Sequence, residues 1–117
     1  LFLRVSDSKK DIFEQLDRAM RNIPCASGFN NHMGSKFLQS SVKMSDVMEF
    51  LKQHNLFFVD SLTTPNSVGY KLACRYKVPY AVRDMFIDNK KRFNYVKHNL
   101  LDAWQYCRLW SYCSFKR

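Results

Sequence analysis

Three short apolar runs, each breaking off abruptly into polar residues, constrain the fold of this chain more than any other feature. Cys25 to Phe29 gives way to Asn30-Asn31-His32-Met33-Gly34-Ser35, Phe57-Phe58-Val59 to Asp60-Ser61, and Tyr80 to Val82 to Arg83-Asp84. Segments with helical spacing separate them. Ile12, Phe13, Leu16, Met20 and Ile23 define one face of a first helix, entered through Ser6, Asp7 or Ser8 and closed by Pro24. Asp11, three residues after Ser8, is the first-turn acid that such an entry favours. Met44, Val47, Met48 and Leu51 mark a second helix, from Ser40 or Ser45 to His54, with Asn55 suited to a left-handed exit. After the turn Thr63-Thr64-Pro65-Asn66, a third runs over 67–76 with Val68, Leu72 and Cys74 or Arg75 toward the core. A last helix starts after Asp88-Asn89 and carries Phe93, Val96, Leu100, Leu101 and Trp104. Beyond Trp104 the period degrades. No helix is expected between Asn30 and about Ser40.

A helix followed by three strand–helix units with short connections predicts an α/β fold with a parallel sheet and right-handed crossovers. The strands are expected near 26–29, 56–60 and 79–83, adjacent to one another. Leu56 to Val59 is apolar throughout, as a strand covered on both faces should be. Parallel folds place their sites in the loops at the carboxyl ends of the strands. His32, Asp60, Arg83 and Asp84 are therefore expected along one edge of the sheet.

The remaining bulk properties narrow the function classes. A chain of 117 residues makes one domain or part of one; at this size roughly two thirds of the unfolded surface can be buried. Hydrophobic and charged fractions of 46% and 25% are those of a globular chain and exclude disorder. The net charge of +9 invites nucleic acid, but residues 90–117 hold seven Lys or Arg against the single acid Asp102. That concentration in the last quarter reads as a solvated helix face before it reads as a phosphate-binding surface. Cys25, Cys74, Cys107 and Cys113 contain no C-x-x-C pair, so neither a disulfide framework nor a zinc knuckle is expected, and buried free thiols are. No run approaches the ~18 apolar residues of a membrane span, and Leu1-Phe2-Leu3 is too short for an export signal.

Each candidate residue has a plainer role available. A loop histidine such as His32 is ordinarily a surface hydrogen-bonding group; its company, two amides before it and Gly34 after it, singles it out over His54 and His98. Asp60 can cap the turn from Ser61 to Thr64. Arg83 and Asp84 can form a structural ion pair, or the arginine can fix the carboxylate's orientation beside a site. Asp88 is most simply a helix cap.

Taken together, Asn30-Asn31-His32-Met33-Gly34-Ser35, Leu56-Phe57-Phe58-Val59-Asp60-Ser61 with Thr63-Thr64-Pro65, and Arg83-Asp84-Met85-Phe86-Ile87-Asp88-Asn89 resemble the divergent polysaccharide deacetylase family in order and spacing. The resemblance covers about residues 3–101 and implies a segment of a deformed β/α-barrel, a partial domain over 1–103 with a basic aromatic tail over 104–117. It implies a divalent metal, zinc, with His32 as its ligand, and Asp60, Arg83 and Asp84 orienting or tuning the acid–base groups. Asn30, Asn31 and Ser35 would line the substrate pocket. The implied partner is an acetylated glycan and the implied compartment the periplasm or cell envelope. Two motifs of the family have no counterpart here: an Asp-Asp pair closing a preceding strand, and a final stretch ending in Gly-His-Pro. The expected chain is thus a fragment of a glycan deacetylase, inactive alone, whose open sheet edges invite self-association. The rivals are a non-catalytic glycan-binding remnant of that fold and, less favoured, a basic nucleic-acid-binding module.

Overall fold

The computed structural model describes residues 2–31, 34–84, 90 and 92–110, the last seven by backbone alone. The chain divides into two compact units, Leu1–Arg83 and Asp84–Arg117. The first unit holds helix α1 (Lys9–Asn22), strand β1 (Gly28–Asn30), helices α2 (Ser35–Leu38) and α3 (Ser41–Gln53), strand β2 (Phe57–Asp60), helix α4 (Gly69–Tyr76) and strand β3 (Tyr80–Val82). The second holds helix α5 (Phe93–Trp110).

The three strands form one parallel sheet in the order β1-β2-β3. Gly28 faces Phe57 across the first pair and Phe58 faces Tyr80 across the second. Parallel, adjacent strands are what the alternation of the sequence predicts. The first strand starts at Gly28, later than the expected 26. A Cβ on residue 28 would lie 2.6 Å from the carbonyl oxygen of Phe57. Only glycine lets the two backbones pair at that point.

Helix α1 begins at a capping box: Asp11 donates its backbone N–H to Ser8 Oγ at 3.2 Å, and the Ser8 backbone N–H returns to Asp11 Oδ2 at 2.9 Å. Ile12 and Leu16 are buried, with Phe13 and Met20 packed against the core. Ile23 is 63% exposed. It lies past the last helical turn at φ −133°, so it leaves the face its spacing had assigned it.

Helix α3 supplies more of the core than any other element, burying Met44, Val47, Met48, Phe50 and Leu51. Phe50 meets Phe13 of α1 edge to face at 5.3 Å. Each fully buried side chain of this size contributes about 2 kcal/mol of transfer free energy, so truncating Leu51 to Ala would cost about 2–5 kcal/mol. Helices α3 and α4 end alike. Asn55 and Lys77 adopt left-handed φ of 54° and 59°, and the next residue's N–H bonds back five residues, Leu56 to Leu51 and Val78 to Ala73, each at 2.9 Å. The turn delivers the chain directly into the strand that follows.

Three expectations need correction. Helix α2 occupies part of the stretch expected to be loop; at four residues it is too short to show a period, yet it buries Phe37 and Leu38. Cys25 and Cys74 are free as expected but exposed rather than buried; on α4 the core side is taken by Leu72 and Ala73, which leaves Cys74 outside. Helix α5 keeps its helical backbone to Trp110, beyond the degraded pattern at Trp104. The expected caps Asp88 and Asn89 lie outside the described residues. Among those described, no helix is long and apolar enough to cross a membrane.

Candidate functional site at the strand ends

The carboxyl ends of the three strands converge on one residue, Ser61. Its backbone N–H donates to Asn31 Oδ1 at 2.9 Å, and its hydroxyl donates to Asn30 Oδ1 at 2.5 Å. Its carbonyl accepts Arg83 Nε at 2.6 Å. Every polar group of Ser61 is therefore committed, two to the end of β1 and one to the residue just after β3. The same guanidinium reaches the Leu62 carbonyl with Nη2 at 3.3 Å, and the Arg83 backbone N–H donates to the Asp60 carbonyl at 2.9 Å.

Asp60 sits beneath this junction and is fully buried. Its Oδ1 accepts the Leu62 N–H at 2.9 Å; its Oδ2 accepts the Ser67 hydroxyl at 2.7 Å and the Tyr70 N–H at 3.2 Å. The Tyr70 contact lies in the first turn of α4, where a carboxylate opposes the positive helix end. The close approach needs Gly69, since a Cβ there would stand 2.7 Å from Asp60 Oδ2 and 2.8 Å from the Phe58 ring. Asp60 thus fastens the 61–68 loop to both β2 and α4, which is the capping role its position suggested, extended as far as the helix.

Leu62 pays for the tight turn with a left-handed φ of 45°. That conformation costs a branched residue about 1–2 kcal/mol, and Asp60 and Arg83 hold it from either side. Further out, Ser35 Oγ donates to the Thr63 carbonyl at 3.3 Å, and Gln39 Nε2 to Thr64 Oγ1 at 3.3 Å. Two buried polar atoms among the described residues have no hydrogen-bond partner, Asn31 Nδ2 and Thr63 Oγ1. A largely apolar cavity of about 300 Å³ opens beside β1, lined among others by Leu3, Phe29, Asn30, Asn31, Phe37 and Phe58.

The predicted site residues therefore separate. Asn30, Asn31, Asp60 and Arg83 belong to one hydrogen-bonded cluster, and Ser35 reaches the adjoining loop. Asp84 opens the second unit and is exposed. His32 lies outside the described residues. Sequence reasoning missed Ser61 and Ser67, whose only signal was a hydroxyl directly after an aspartate and another just before a helix. Among the described residues no three His, Cys, Asp or Glu side chains come together as a metal would require. Asp60 already holds three donors, so the described residues do not by themselves fit a catalytic zinc.

A parallel β/α segment whose strand ends carry these motifs defines a member of the polysaccharide deacetylase-like proteins. The chain belongs to the divergent polysaccharide deacetylase family, whose sequence model matches residues 1–108. It is 36% identical over 89 residues to the uncharacterized protein YibQ of Escherichia coli K12, covering 76% of this chain and 28% of that protein. An uncharacterized protein of Haemophilus influenzae is 31% identical over 106 residues, covering 91% of this chain and 38% of that protein. The fold resembles the crystal structure of the uncharacterized protein ATU2773 from Agrobacterium tumefaciens C58, with a TM-score of 0.72 and 22% identity, over 88% of this chain and 42% of that one. The chain spans less than half the length of each of these proteins.

Proposed function

We propose that this chain is the central segment of a metal-dependent hydrolase that removes acetyl groups from glycans, and that the 117-residue segment alone binds without turning over. Family membership supports the first half of the reading. The observation that carries the second is the structural commitment of Asp60, which accepts three hydrogen bonds from the loop and helix that follow it. Asp60 is fully buried, and three of its roughly four lone-pair sites accept hydrogen bonds from the 61–67 loop and α4, so it is committed to structure rather than presented to a metal or an attacking water. Asp60 and Arg83 act as positioning residues that hold the loop over the strand ends. His32 is the metal ligand we assign on the family resemblance, and a single imidazole does not hold zinc tightly, since a catalytic site needs about three protein ligands. A base that takes the proton from water is worth roughly 10²–10⁴ in rate, and the family's Asp-Asp pair that would supply it has no counterpart in the sequence.

The burial and structural hydrogen bonds of Asp60 also favour the second reading, a glycan-binding remnant without chemistry. Measuring acetate release from acetylated chito-oligosaccharides, with zinc added, tests the proposal. The 117-residue chain should show no turnover above background. Turnover that disappears in His32→Ala would show that the groups present suffice.

A further inference from the structure

Helix α5 does not bury the stripe that its spacing predicts. Phe93, Leu100 and Leu101 are 81%, 50% and 51% exposed, whereas Asn99 is only 9% exposed. Phe93, Lys97, Leu100 and Leu101 recur at i, i+4, i+7 and i+8, so they share one face of the helix. Val96, Asn99 and Ala103 lie on another and are buried or half-buried. Lys97 is exposed, as are Lys90 and Arg92 just before the first turn. Residues 90–117 hold seven Lys or Arg against the single acid Asp102, and that carboxylate faces His98 at 3.5 Å rather than a lysine or arginine. The outward face thus sets three large apolar side chains among cations. Exposed apolar clusters with a polar rim mark a partner surface rather than a solvated one.

We infer that this face of α5 docks onto an anionic phospholipid bilayer. Phe93, Leu100 and Leu101 enter the boundary between headgroups and acyl chains, while Lys90, Arg92 and Lys97 meet the lipid phosphates. Both halves of the pattern are needed. A polyanion without a bilayer would satisfy the cations and leave the leucines in water. A second copy of the chain would cover the leucines but bring two strongly basic segments together. Among the described residues no helix is long and apolar enough to cross a membrane, so α5 lies in the plane of the interface. None of these residues belongs to the strand-end cluster, and the docking stands whether or not that cluster binds sugar.

Trp104 and Trp110 are the only tryptophans in the sequence and both fall within α5, so the intrinsic fluorescence of the full chain reads the docking without a label. The probes are vesicles of phosphatidylcholine alone and of an equal mixture of phosphatidylcholine and phosphatidylglycerol. The mixed vesicles should shift the emission to the blue and carry the chain into the pellet, and the neutral ones should do neither. Leu100→Ser combined with Leu101→Ser should weaken binding about tenfold, with backbone amide signals in place because both side chains are exposed. Lys97→Gln should weaken it about fivefold. Lys10→Gln, which removes the same charge from the exposed side of α1, should leave it unchanged. Equal weakening by the two lysine variants would reduce the attraction to net charge and overturn the proposal. Binding that survives the leucine substitutions would overturn it too. So would polyglutamate shifting the emission as the vesicles do, or a dimer that forms without lipid and dissociates in the leucine variant.

Discussion

The Ser67 hydroxyl donates to Asp60 Oδ2 at 2.7 Å, and both residues are buried. Ser67 Oγ in turn accepts the Gly69 N–H at 3.2 Å, so a short relay runs from the carboxylate through the hydroxyl into the start of α4. The relay fixes the loop between β2 and α4 without any contact to solvent. Asp60→Asn would put an amide nitrogen against donors that the carboxylate now satisfies. We expect a loss of about 2–4 kcal/mol, because charge-assisted bonds are broken and buried donors are left facing each other. The midpoint of urea denaturation reports it. An unchanged midpoint would mean that the carboxylate is not holding the loop.

The approach of β1 to β2 at Gly28 leaves no room for a side chain, because the obstructing atom is a backbone oxygen that cannot rotate away. Gly28→Ala should therefore displace the strand at a cost of about 1–3 kcal/mol. Hydrogen exchange at the Phe57 amide, which donates to the Ser27 carbonyl at 3.1 Å, should accelerate with it.

How far the sequence reveals this arrangement depends on the range of the interactions concerned. Strand β3 and the parallel order were legible, and the helix entries were narrowed to Ser6, Asp7 or Ser8 and to Ser40 or Ser45, because each follows from local spacing or from a residue type with one strong local preference. The left-handed exit at Asn55 was legible for the same reason. The matching exit at Lys77 was not, since nothing about lysine favours that conformation. Helix α2 was hidden by its length. Ser61 was hidden because its role depends on Asn31, thirty residues earlier, and Arg83, twenty-two residues later. Asp60 was recognised as a candidate, yet its three donors come from the loop and helix beyond it.

Acid should weaken the entry to α1. Hydrogen bonds from the Ser8 side chain and backbone hold the Asp11 carboxyl below its ordinary value of 3.8. A carboxyl whose value is depressed on folding contributes stability above its unfolded value and loses it as pH falls through the folded one. The acid limb of a stability profile below 3.8 should therefore be shallower in Asp11→Asn than in the native chain. Identical limbs would show that the capping box does not persist in solution.

Arg83 spans two successive carbonyls with a planar fork, Nε to Ser61 and Nη2 to Leu62. A lysine can reach one of them and lacks the fork. Arg83→Lys should therefore loosen Leu62, whose left-handed backbone is held partly by that bond, and cost about 1–2 kcal/mol in thermal denaturation. Equal stability of the two would mean that Asp60 holds the turn unaided.

The junction at Ser61 can be tested directly by amide hydrogen exchange at that one residue. The Ser61 N–H follows the end of β2, where a loop amide would ordinarily exchange freely, and its protection depends on Asn31 Oδ1 at 2.9 Å. Strong protection in the native chain that collapses in Asn31→Ala, while the Leu51 and Leu56 amides stay protected, is the predicted result. A Ser61 amide that exchanges at the unprotected rate in the native chain would contradict the convergence of the three strand ends on this residue.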